Sequence, residues 1–336
     1  MRGGWDFPPP AITPLAMSNA SLDAPSNPSR PIWPHQFTAY SKLLALARTC
    51  LGAQRNTLPV KLRTTSLLLG PTGSGKTFLA ETIAAEIGAA FFPLALSNWI
   101  ILGARDHSSQ TTWVSIVDFL RRNHNSTAFI FCDEFEKAIS HRHLDTWSSH
   151  LRVELFQLLD RKIPKNLKDA DGNVIGPAIH AAAQDTLENR TFIVAAATFQ
   201  DLWETRSRSN IGFGNPSQVT LGPSPDELGK ELPREILNRF RHDHLVLPEL
   251  NQADYETMLE STAARVPIYL RQTFLRLGYE KIPAAIAMRQ GCRFVEDLMT
   301  DTLLAERACL QKISVQPEKH EDQRQVTSIE QDGDSF

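Results

Sequence analysis

The sequence lacks several features that would mark a specialised class of protein. Its 4 cysteines include no C-x-x-C pair, so we predict reduced thiols and no zinc site. It has no run of about 18 apolar residues and no basic N-terminal segment followed by an apolar one, which predicts neither a membrane span nor a secretory signal. The formal net charge of −3 gives no general attraction to nucleic acid. These absences together favour a cytoplasmic protein.

The composition is otherwise that of an ordinary globular protein. Hydrophobic residues make up 42% and charged residues 22% of 336 residues, which is enough chain for two domains with a buried core. Residues 1–33 are rich in proline, serine and asparagine, which predicts a disordered leader. Residues 315–336 are polar and are predicted to form a disordered tail.

A glycine-rich stretch is the most informative part of the sequence. Residues 70–77 fit the pattern G-x-x-x-x-G-K-[ST] at every constrained position. Glycines let the backbone curl so that successive N–H groups face an anion, and the helix that follows adds its positive N-terminal end. The alternative is a chance glycine turn before an amphipathic helix, which the preceding apolar run and a later acidic strand end disfavour. The residues predicted to bind the nucleotide are Pro71, Thr72, Gly73, Ser74, Gly75, Lys76, Thr77 and Phe78.

Two of these residues have distinct predicted roles. Lys76 can reach the β- and γ-phosphates of ATP, and the Thr77 hydroxyl can ligate Mg²⁺. A later strand-like run ends in Asp133 and Glu134, which brings two carboxylates to the carboxyl edge of the sheet, where ligands bind in open α/β folds. We predict that Asp133 holds Mg²⁺, directly or through water, and that Glu134 polarises the attacking water.

Apolar runs and helical patterns alternate along the first 250 residues. Near-continuous apolar strands separated by helices predict an α/β fold with a parallel sheet covered on both faces. The predicted strands are 65–70, 90–96, 127–134, 191–198 and 244–247, and the predicted helices are 35–50, 76–88, 111–122 and 146–161. The sequence Asp-Ala-Asp-Gly-Asn at 169–173 suggests a calcium loop, but it lacks the closing acidic ligand, and a hairpin turn is the better interpretation.

The pattern changes near residue 250. From 252 to 312 the strand signals stop, and helices are predicted at 254–265, 267–277 and 282–307. We therefore predict a large α/β nucleotide-binding domain over residues 34–250 and a small helical lid domain over residues 251–314.

Four stretches resemble one known family. Phe-Cys-Asp-Glu-Phe-Glu-Lys-Ala at 131–138 is similar to the Asp-Glu-(Ile/Phe)-Glu-Lys-Ala segment of AAA+ ATPases of the Clp/Hsp100 group. Leu-Pro-Arg-Glu-Ile-Leu-Asn-Arg-Phe at 232–240 resembles that group's arginine-finger box, although Pro233 lies one place early. Gly-Cys-Arg at 291–293, placed inside a predicted helix, resembles its sensor-2 motif, and His35-Gln36 resembles the start of its module. The resemblance covers about residues 32–312.

The resemblance implies further roles and partners. It implies a P-loop AAA+ core with a helical lid, in a single module that assembles as a homo-oligomer, usually a hexameric ring. Arg239 corresponds to the arginine finger that acts on a neighbouring subunit, with Arg234 and Arg241 as nearby competitors. Thr198 falls at the sensor-1 position, which is often asparagine, and is placed with the catalytic residues. Arg293 corresponds to sensor 2, which contacts the nucleotide from the lid.

Two segments correspond to loops of that group that contact polypeptides. Residues 99–103, Trp-Ile-Ile-Leu-Gly, lie where the group carries a pore loop, although a buried tryptophan is an equal alternative. Ile211-Gly212-Phe213 resembles a loop that docks a partner peptidase, although glycine-rich packing turns are common.

Three functions remain open at this point. The first is an ATP-dependent protein remodeller that unfolds a polypeptide substrate. The second is an AAA+ motor or loader acting on nucleic acid, which is disfavoured because no basic stripe interleaved with aromatic residues is present. The third is an assembly scaffold regulated by nucleotide, with slow turnover.

Overall fold

A five-stranded parallel sheet forms the centre of the α/β part of the protein. The computed structural model describes residues 31–52, 58–99, 110–138, 146–169, 172–203, 222–241 and 244–314. The strand order is β2-β3-β4-β1-β5, and each neighbouring pair is parallel. The strands are β1 (Thr65–Leu69), β2 (Ala90–Ala95), β3 (Ala128–Asp133), β4 (Thr191–Ala197) and β5 (Leu245–Val246).

The inner strands are apolar along their whole length. Every residue of β1 and β4 is buried, and β3 is buried except for its last residue, Asp133. A strand that is buried on both faces needs helices on both sides of the sheet. The carboxyl ends of β1, β3 and β4 lie side by side, because these strands are parallel neighbours.

Helices cover both faces of this sheet. One apolar cluster joins one face to side chains of α3, α4 and α5, and a second joins the other face to α1 and α2. The fold is therefore the predicted P-loop type of α/β fold. The helices are α1 (Phe37–Leu51), α2 (Lys76–Glu86), α3 (Gln110–Arg122), α4 (Thr146–Leu159), α5 (Pro177–Asn189), α6 (Pro225–Glu231) and α7 (Arg234–Leu237), and short 3₁₀ turns occupy Pro34–Gln36 and Phe135–Ala138.

The C-terminal part is helical, as predicted, but its breaks lie elsewhere. The helices α8 (Gln252–Ala263), α9 (Ile268–Ala287) and α10 (Arg293–Ser314), here called the lid helices, share their own apolar cluster. The predicted break after residue 277 is wrong. Gly278 lies inside α9, where a Cβ atom would come within 2.3 Å of Leu259 Cδ1, so this glycine serves close helix packing.

The prediction that residues 291–293 lie inside a helix is also wrong. Gly291 has φ +65°, in the left-handed region that favours glycine, and α10 begins only at Arg293. This turn brings the lid helices to the P-loop, as described below.

The N-terminal end of the described chain packs with the lid helices. Trp33, which the predicted boundary assigns to the leader, is only 3% exposed and lies in the apolar cluster of α8–α10. Residues 1–30 and 315–336 lie outside the described residues. No helix within the described part of the chain is both long and apolar enough to cross a membrane.

The interpretation of residues 169–173 as a hairpin turn agrees with the structure. Lys168 and Val174 form an antiparallel bridge, and the Asn173 N–H donates to Asp169 Oδ1 at 2.8 Å. Residues 170–171 of this turn lie outside the described residues.

Candidate nucleotide-binding site

The predicted phosphate loop follows the buried strand β1 and leads into α2. Gly73 and Gly75 have φ +79° and +87°, so both adopt the left-handed conformation that the pattern requires. Helix α2 begins at Lys76, and the first N–H groups of a helix have no partner within it. These donors and the positive end of the helix favour an anion at this position. The loop therefore fits the phosphates of a nucleotide.

The side chain of Lys76 is hydrogen-bonded to the start of this loop and to the residue that follows β4. Its Nζ donates to Gly70 O at 2.8 Å, to Pro71 O at 3.1 Å and to Thr198 Oγ1 at 3.3 Å. Burial lowers the pKa of Lys76, and the carboxylates of Asp133 and Glu136 oppose that shift. The ammonium group is thus held at the junction of the ends of β1 and β4.

Thr77 and Asp133 supply oxygen atoms on the other side of the loop. The Thr77 hydroxyl donates to Asp133 Oδ2 at 3.3 Å, which joins the start of α2 to the end of β3. A hydroxyl and a carboxylate are oxygen ligands of the kind that Mg²⁺ prefers. The chemistry of this pair therefore fits a magnesium ion beside the phosphates.

Glu134 follows Asp133 in a left-handed conformation, with φ +55°. Its N–H donates to Asp133 Oδ1 at 2.9 Å, and its Oε1 accepts from Lys137 Nζ at 2.6 Å. The hydrogen bond from Lys137, followed by one from Ser97, lowers the pKa of Glu134. Glu134 is therefore held as a carboxylate, which is the form that a base needs.

Thr198 is held from three sides. Lys76 donates to its hydroxyl at 3.3 Å, its own N–H donates to Glu136 Oε2 at 3.2 Å, and its carbonyl accepts from Trp203 Nε1 at 2.7 Å. Burial raises the pKa of Glu136, and the hydrogen bond from Thr198 partly opposes that shift. Neither Glu136 nor Trp203 was predicted as a site residue, although Glu136 lies in the Asp-Glu-Phe-Glu segment.

We expect Glu136 to act by positioning Thr198. Glu136→Ala removes the acceptor of the Thr198 N–H, and kcat is expected to fall about tenfold, because Thr198 loses a hydrogen bond that fixes its position and that contributes about 1 kcal/mol. Glu136→Gln keeps an acceptor oxygen of the same reach, so its kcat should stay within about threefold of the wild type. Steady-state ATPase assays measure both variants, and equal losses in the two would contradict this role.

Arg293 approaches the same site from the lid helices. It is the first residue of α10, its side chain is exposed, and its charge contributes to lowering the pKa of Lys76. The His35-Gln36 segment also reaches the P-loop, because Gln36 Nε2 donates to Ser74 O at 3.1 Å. The structure thus brings both of these predicted segments to the phosphate loop.

Arg239 makes its contacts elsewhere in the same chain. Its Nε and Nη2 bind the two carboxylate oxygens of Asp160 at 2.7 and 2.8 Å, and its Nη1 donates to Glu235 O at 2.6 Å. Its guanidinium also lies over the ring of Phe156, 4.4 Å from the centroid. Within the described residues, no hydrogen bond or ion pair joins Arg239 to the P-loop of its own chain. The competitor Arg234 is exposed on α7.

The two predicted polypeptide-contacting segments fall largely outside the described residues. Ile211-Gly212-Phe213 and residues 100–103 lie outside the described residues. Trp99 is only 1% exposed, packs edge-on against Trp113, and donates to Glu154 Oε2 at 3.2 Å. Burial raises the pKa of Glu154 to about 7. The alternative of a buried tryptophan is therefore the correct one for Trp99 itself.

These features are those of a P-loop nucleotide-binding site at the carboxyl edge of a parallel sheet, and comparison with known proteins shows which family this part of the chain resembles. The family model described as "ATPase family associated with various cellular activities (AAA)" matches residues 66–211. This range runs from β1 to beyond β4 and contains Lys76, Asp133, Glu134 and Thr198. Residues 66–211 are therefore similar to the AAA ATPase family.

Curated relatives match parts of the chain. Vacuolar protein sorting-associated protein 4 of Dictyostelium discoideum is 30% identical over 168 residues, which are 48% of this chain and 34% of that protein. The ATP-dependent zinc metalloprotease FtsH of Hahella chejuensis is 36% identical over 70 residues, 21% of this chain and 11% of that protein. FtsH 2 of Conexibacter woesei is 38% identical over 74 residues, 21% of this chain and 10% of that protein. The chain spans about a third or less of the length of these relatives. The Clp/Hsp100 resemblance therefore stays a prediction.

Proposed function

We propose that this chain is an ATP-dependent protein remodeller that acts as an oligomeric ring. The observation that carries the proposal is the meeting of Lys76, the Thr77–Asp133 pair and Glu134 at one edge of the sheet, with Thr198 hydrogen-bonded to Lys76. These are the groups needed to bind a nucleoside triphosphate with Mg²⁺ and to activate water.

Each residue has a distinct task in the proposed hydrolysis. The glycine loop binds the phosphates through its N–H groups, and Lys76 neutralises their charge. Thr77 and Asp133 would hold Mg²⁺, which supplies charge neutralisation at the phosphate oxygens. Glu134 orients the attacking water and accepts its proton, and Thr198 orients the water or a γ-phosphate oxygen.

A second subunit completes the proposed site. Arg239 is engaged by Asp160 and lacks a contact with its own P-loop among the described residues, so we assign it to the site of a neighbouring copy. The resemblance to Clp/Hsp100 proteins favours a hexamer. In this arrangement Arg293 reports the state of the nucleotide as movement of the lid helices.

The proposed substrate is a polypeptide. Two of the relatives are named ATP-dependent metalloproteases, which are enzymes that act on proteins, and their matches support this substrate class. Residues 100–103 are proposed to line a pore, and Ile211-Gly212-Phe213 is proposed to dock a peptidase.

The choice of polymer can be tested by stimulation of the ATPase. We expect an unfolded protein to raise the steady-state rate of ATP hydrolysis, whereas single- and double-stranded DNA should leave the rate unchanged. The Lys76→Ala variant, measured in parallel, gives the background without nucleotide binding. Stimulation by DNA alone would replace the proposal by a nucleic-acid motor.

One observation favours a second candidate, a nucleotide-regulated scaffold with slow turnover. The carboxylate of Glu134, the proposed base, is bound to Lys137 at 2.6 Å and also accepts from Ser97. A base that is occupied by such partners activates water less readily. Slow hydrolysis that neither protein nor DNA stimulates, together with nucleotide-dependent assembly, would favour this candidate.

A further inference from the structure

The turn between α9 and α10 touches the backbone of the phosphate loop. The Cys292 N–H donates to Gly73 O at 2.7 Å. A Cβ atom on Gly73 would lie 2.4 Å from Gln290 O, and one on Gly291 would lie 2.4 Å from Gly73 O. Both glycines also have positive φ, +79° and +65°. The two backbones therefore approach as closely as they do only because neither residue carries a side chain.

Tyr255 holds this turn from within the lid helices. Its hydroxyl accepts from the Gly291 N–H at 2.8 Å and donates to Ala285 O at 3.3 Å. Its ring is 1% exposed and packs edge-on against Phe294, with centroids 5.4 Å apart. One hydroxyl thus ties α8 both to the end of α9 and to the residue before Cys292.

The next carbonyl of the phosphate loop, that of Ser74, is hydrogen-bonded to the His35-Gln36 segment before α1. Gln36 Nε2 donates to Ser74 O at 3.1 Å, and a Cβ atom on Gly75 would lie 2.4 Å from the same nitrogen. The lid turn and the His35-Gln36 segment are also in contact with each other, because Cys292 Sγ lies 3.8 Å from His35 Nε2. Two consecutive carbonyls of the loop are therefore fixed by groups outside it.

Fixing these carbonyls also fixes the directions of the N–H groups that follow them in the loop. A peptide unit is planar and trans, so the direction of each carbonyl sets the direction of the N–H of the next residue. The Gly73 carbonyl sets the Ser74 N–H, which donates to Pro71 O at 3.2 Å and closes the loop. The Ser74 carbonyl sets the Gly75 N–H in the same way.

We propose that the α9–α10 turn is a latch on the phosphate loop, closed when the Cys292 N–H is bonded to Gly73 O. Tyr255 is the positioning residue that keeps this latch closed. The proposal rests on the proposed nucleotide function and adds a backbone route between the lid helices and the nucleotide, besides the side chain of Arg293. Because coupling between two equilibria is reciprocal, a closed latch favours nucleotide binding, and bound nucleotide favours a closed latch.

The proposal can be tested by removing one oxygen atom. Tyr255→Phe deletes the hydroxyl that accepts from the Gly291 N–H and keeps the ring. Tyr279→Phe is the matched control, because Tyr279 lies in α9, is exposed, and donates only at the surface to Glu260 Oε1 at 2.8 Å. We expect Tyr255→Phe to weaken ADP binding about tenfold, which corresponds to about 1.4 kcal/mol. Its kcat at saturating ATP should stay within about threefold of the wild type, and Tyr279→Phe should change neither quantity.

A second measurement can be made on the wild type alone. Amide hydrogen exchange of the wild type, with and without ADP, reports the opening of the latch at the N–H groups of Gly291 and Cys292. We expect ADP to slow exchange at both amides, and Tyr255→Phe to speed their exchange without nucleotide. This measurement still decides the question if Tyr255→Phe fails to fold.

The outcomes separate the latch from the proposed function. The latch is overturned if Tyr255→Phe and Tyr279→Phe bind ADP equally well, or if ADP leaves exchange at Gly291 and Cys292 unchanged. A drop in thermal stability of Tyr255→Phe with unchanged ADP affinity would likewise assign the hydroxyl to folding alone. The proposed function fails separately, if the wild type binds ADP but hydrolyses no ATP.

Discussion

Replacing Glu134 with glutamine is expected to lower ATP turnover by about 10²-fold or more, because general-base catalysis contributes about 10²–10⁴-fold. Glutamine has nearly the same shape but cannot accept a proton from water at neutral pH. The phosphate loop, Lys76 and the Thr77–Asp133 pair are unchanged, so ATP should bind about as well as in the wild type. Single-turnover hydrolysis and equilibrium binding of ATP measure the two effects separately.

The structure offers a control for this experiment. Glutamine at position 134 also removes the ion pair with Lys137. Lys137→Met removes that pair but keeps the carboxylate, so its turnover should remain within about threefold of the wild type or rise, in line with the small contribution of exposed ion pairs. If both variants lose turnover equally, the ion pair rather than the base accounts for the loss, and the assignment of Glu134 is wrong.

Arg239→Ala is expected to lower turnover by about 10³-fold or more, because an arginine finger contributes about 10³–10⁵ in rate. Since we assign Arg239 to the neighbouring subunit, mixing this variant with subunits that carry only Lys76→Ala should restore part of the activity. In mixed rings, an intact P-loop can then stand next to an intact Arg239. ATPase activity measured across a series of mixing ratios tests this arrangement.

The ion pair of Arg239 with Asp160 requires its own control. The side chains of Arg239 and Asp160 are 25% and 38% exposed and form a bidentate pair, so Arg239→Ala also removes a contact within its own chain. Asp160→Asn breaks the pair but leaves the guanidinium in place, and its turnover should equal or exceed that of the wild type. Equal losses in Asp160→Asn and Arg239→Ala, without recovery on mixing, would show that Arg239 serves only its own chain.

The sequence predicted the parts of the site that are continuous in the chain. The phosphate loop needs glycines, a lysine and a hydroxyl residue at fixed spacing, and Asp133-Glu134 ends an apolar strand. Each of these signals lies within a few residues of the chain, so it can be recognised without knowing any long-range contact. The parallel sheet could be predicted for the same kind of reason, because its inner strands are apolar on both faces.

The contacts that hold the site in place could not be predicted in this way. Thr198 meets Glu136 across 62 positions, and Gly291 meets Tyr255 across 36, so neither pair leaves a local pattern. Helix α5 was not predicted, because only Ala183, Thr186 and Leu187 of its 13 residues are buried, which gives a weak periodic signal. The helix predicted to end at residue 277 continues through Gly278, which allows close packing between α8 and α9.

The burial of Trp33 among the lid helices has a mechanical consequence. The chain crosses between the lid core and the α/β part at two places, through Pro34–Gln36 into α1 and between β5 and α8. Tight packing at Gly278 makes α8, α9 and α10 one block. A rigid group of helices that is joined to the α/β part at two points is expected to move mainly by rotation about the line between those points. The contact of Cys292 with Gly73 lies beside the first of these connections, because Cys292 Sγ is 3.8 Å from His35 Nε2, so a rotation of the lid helices about it would be felt directly at the phosphate loop.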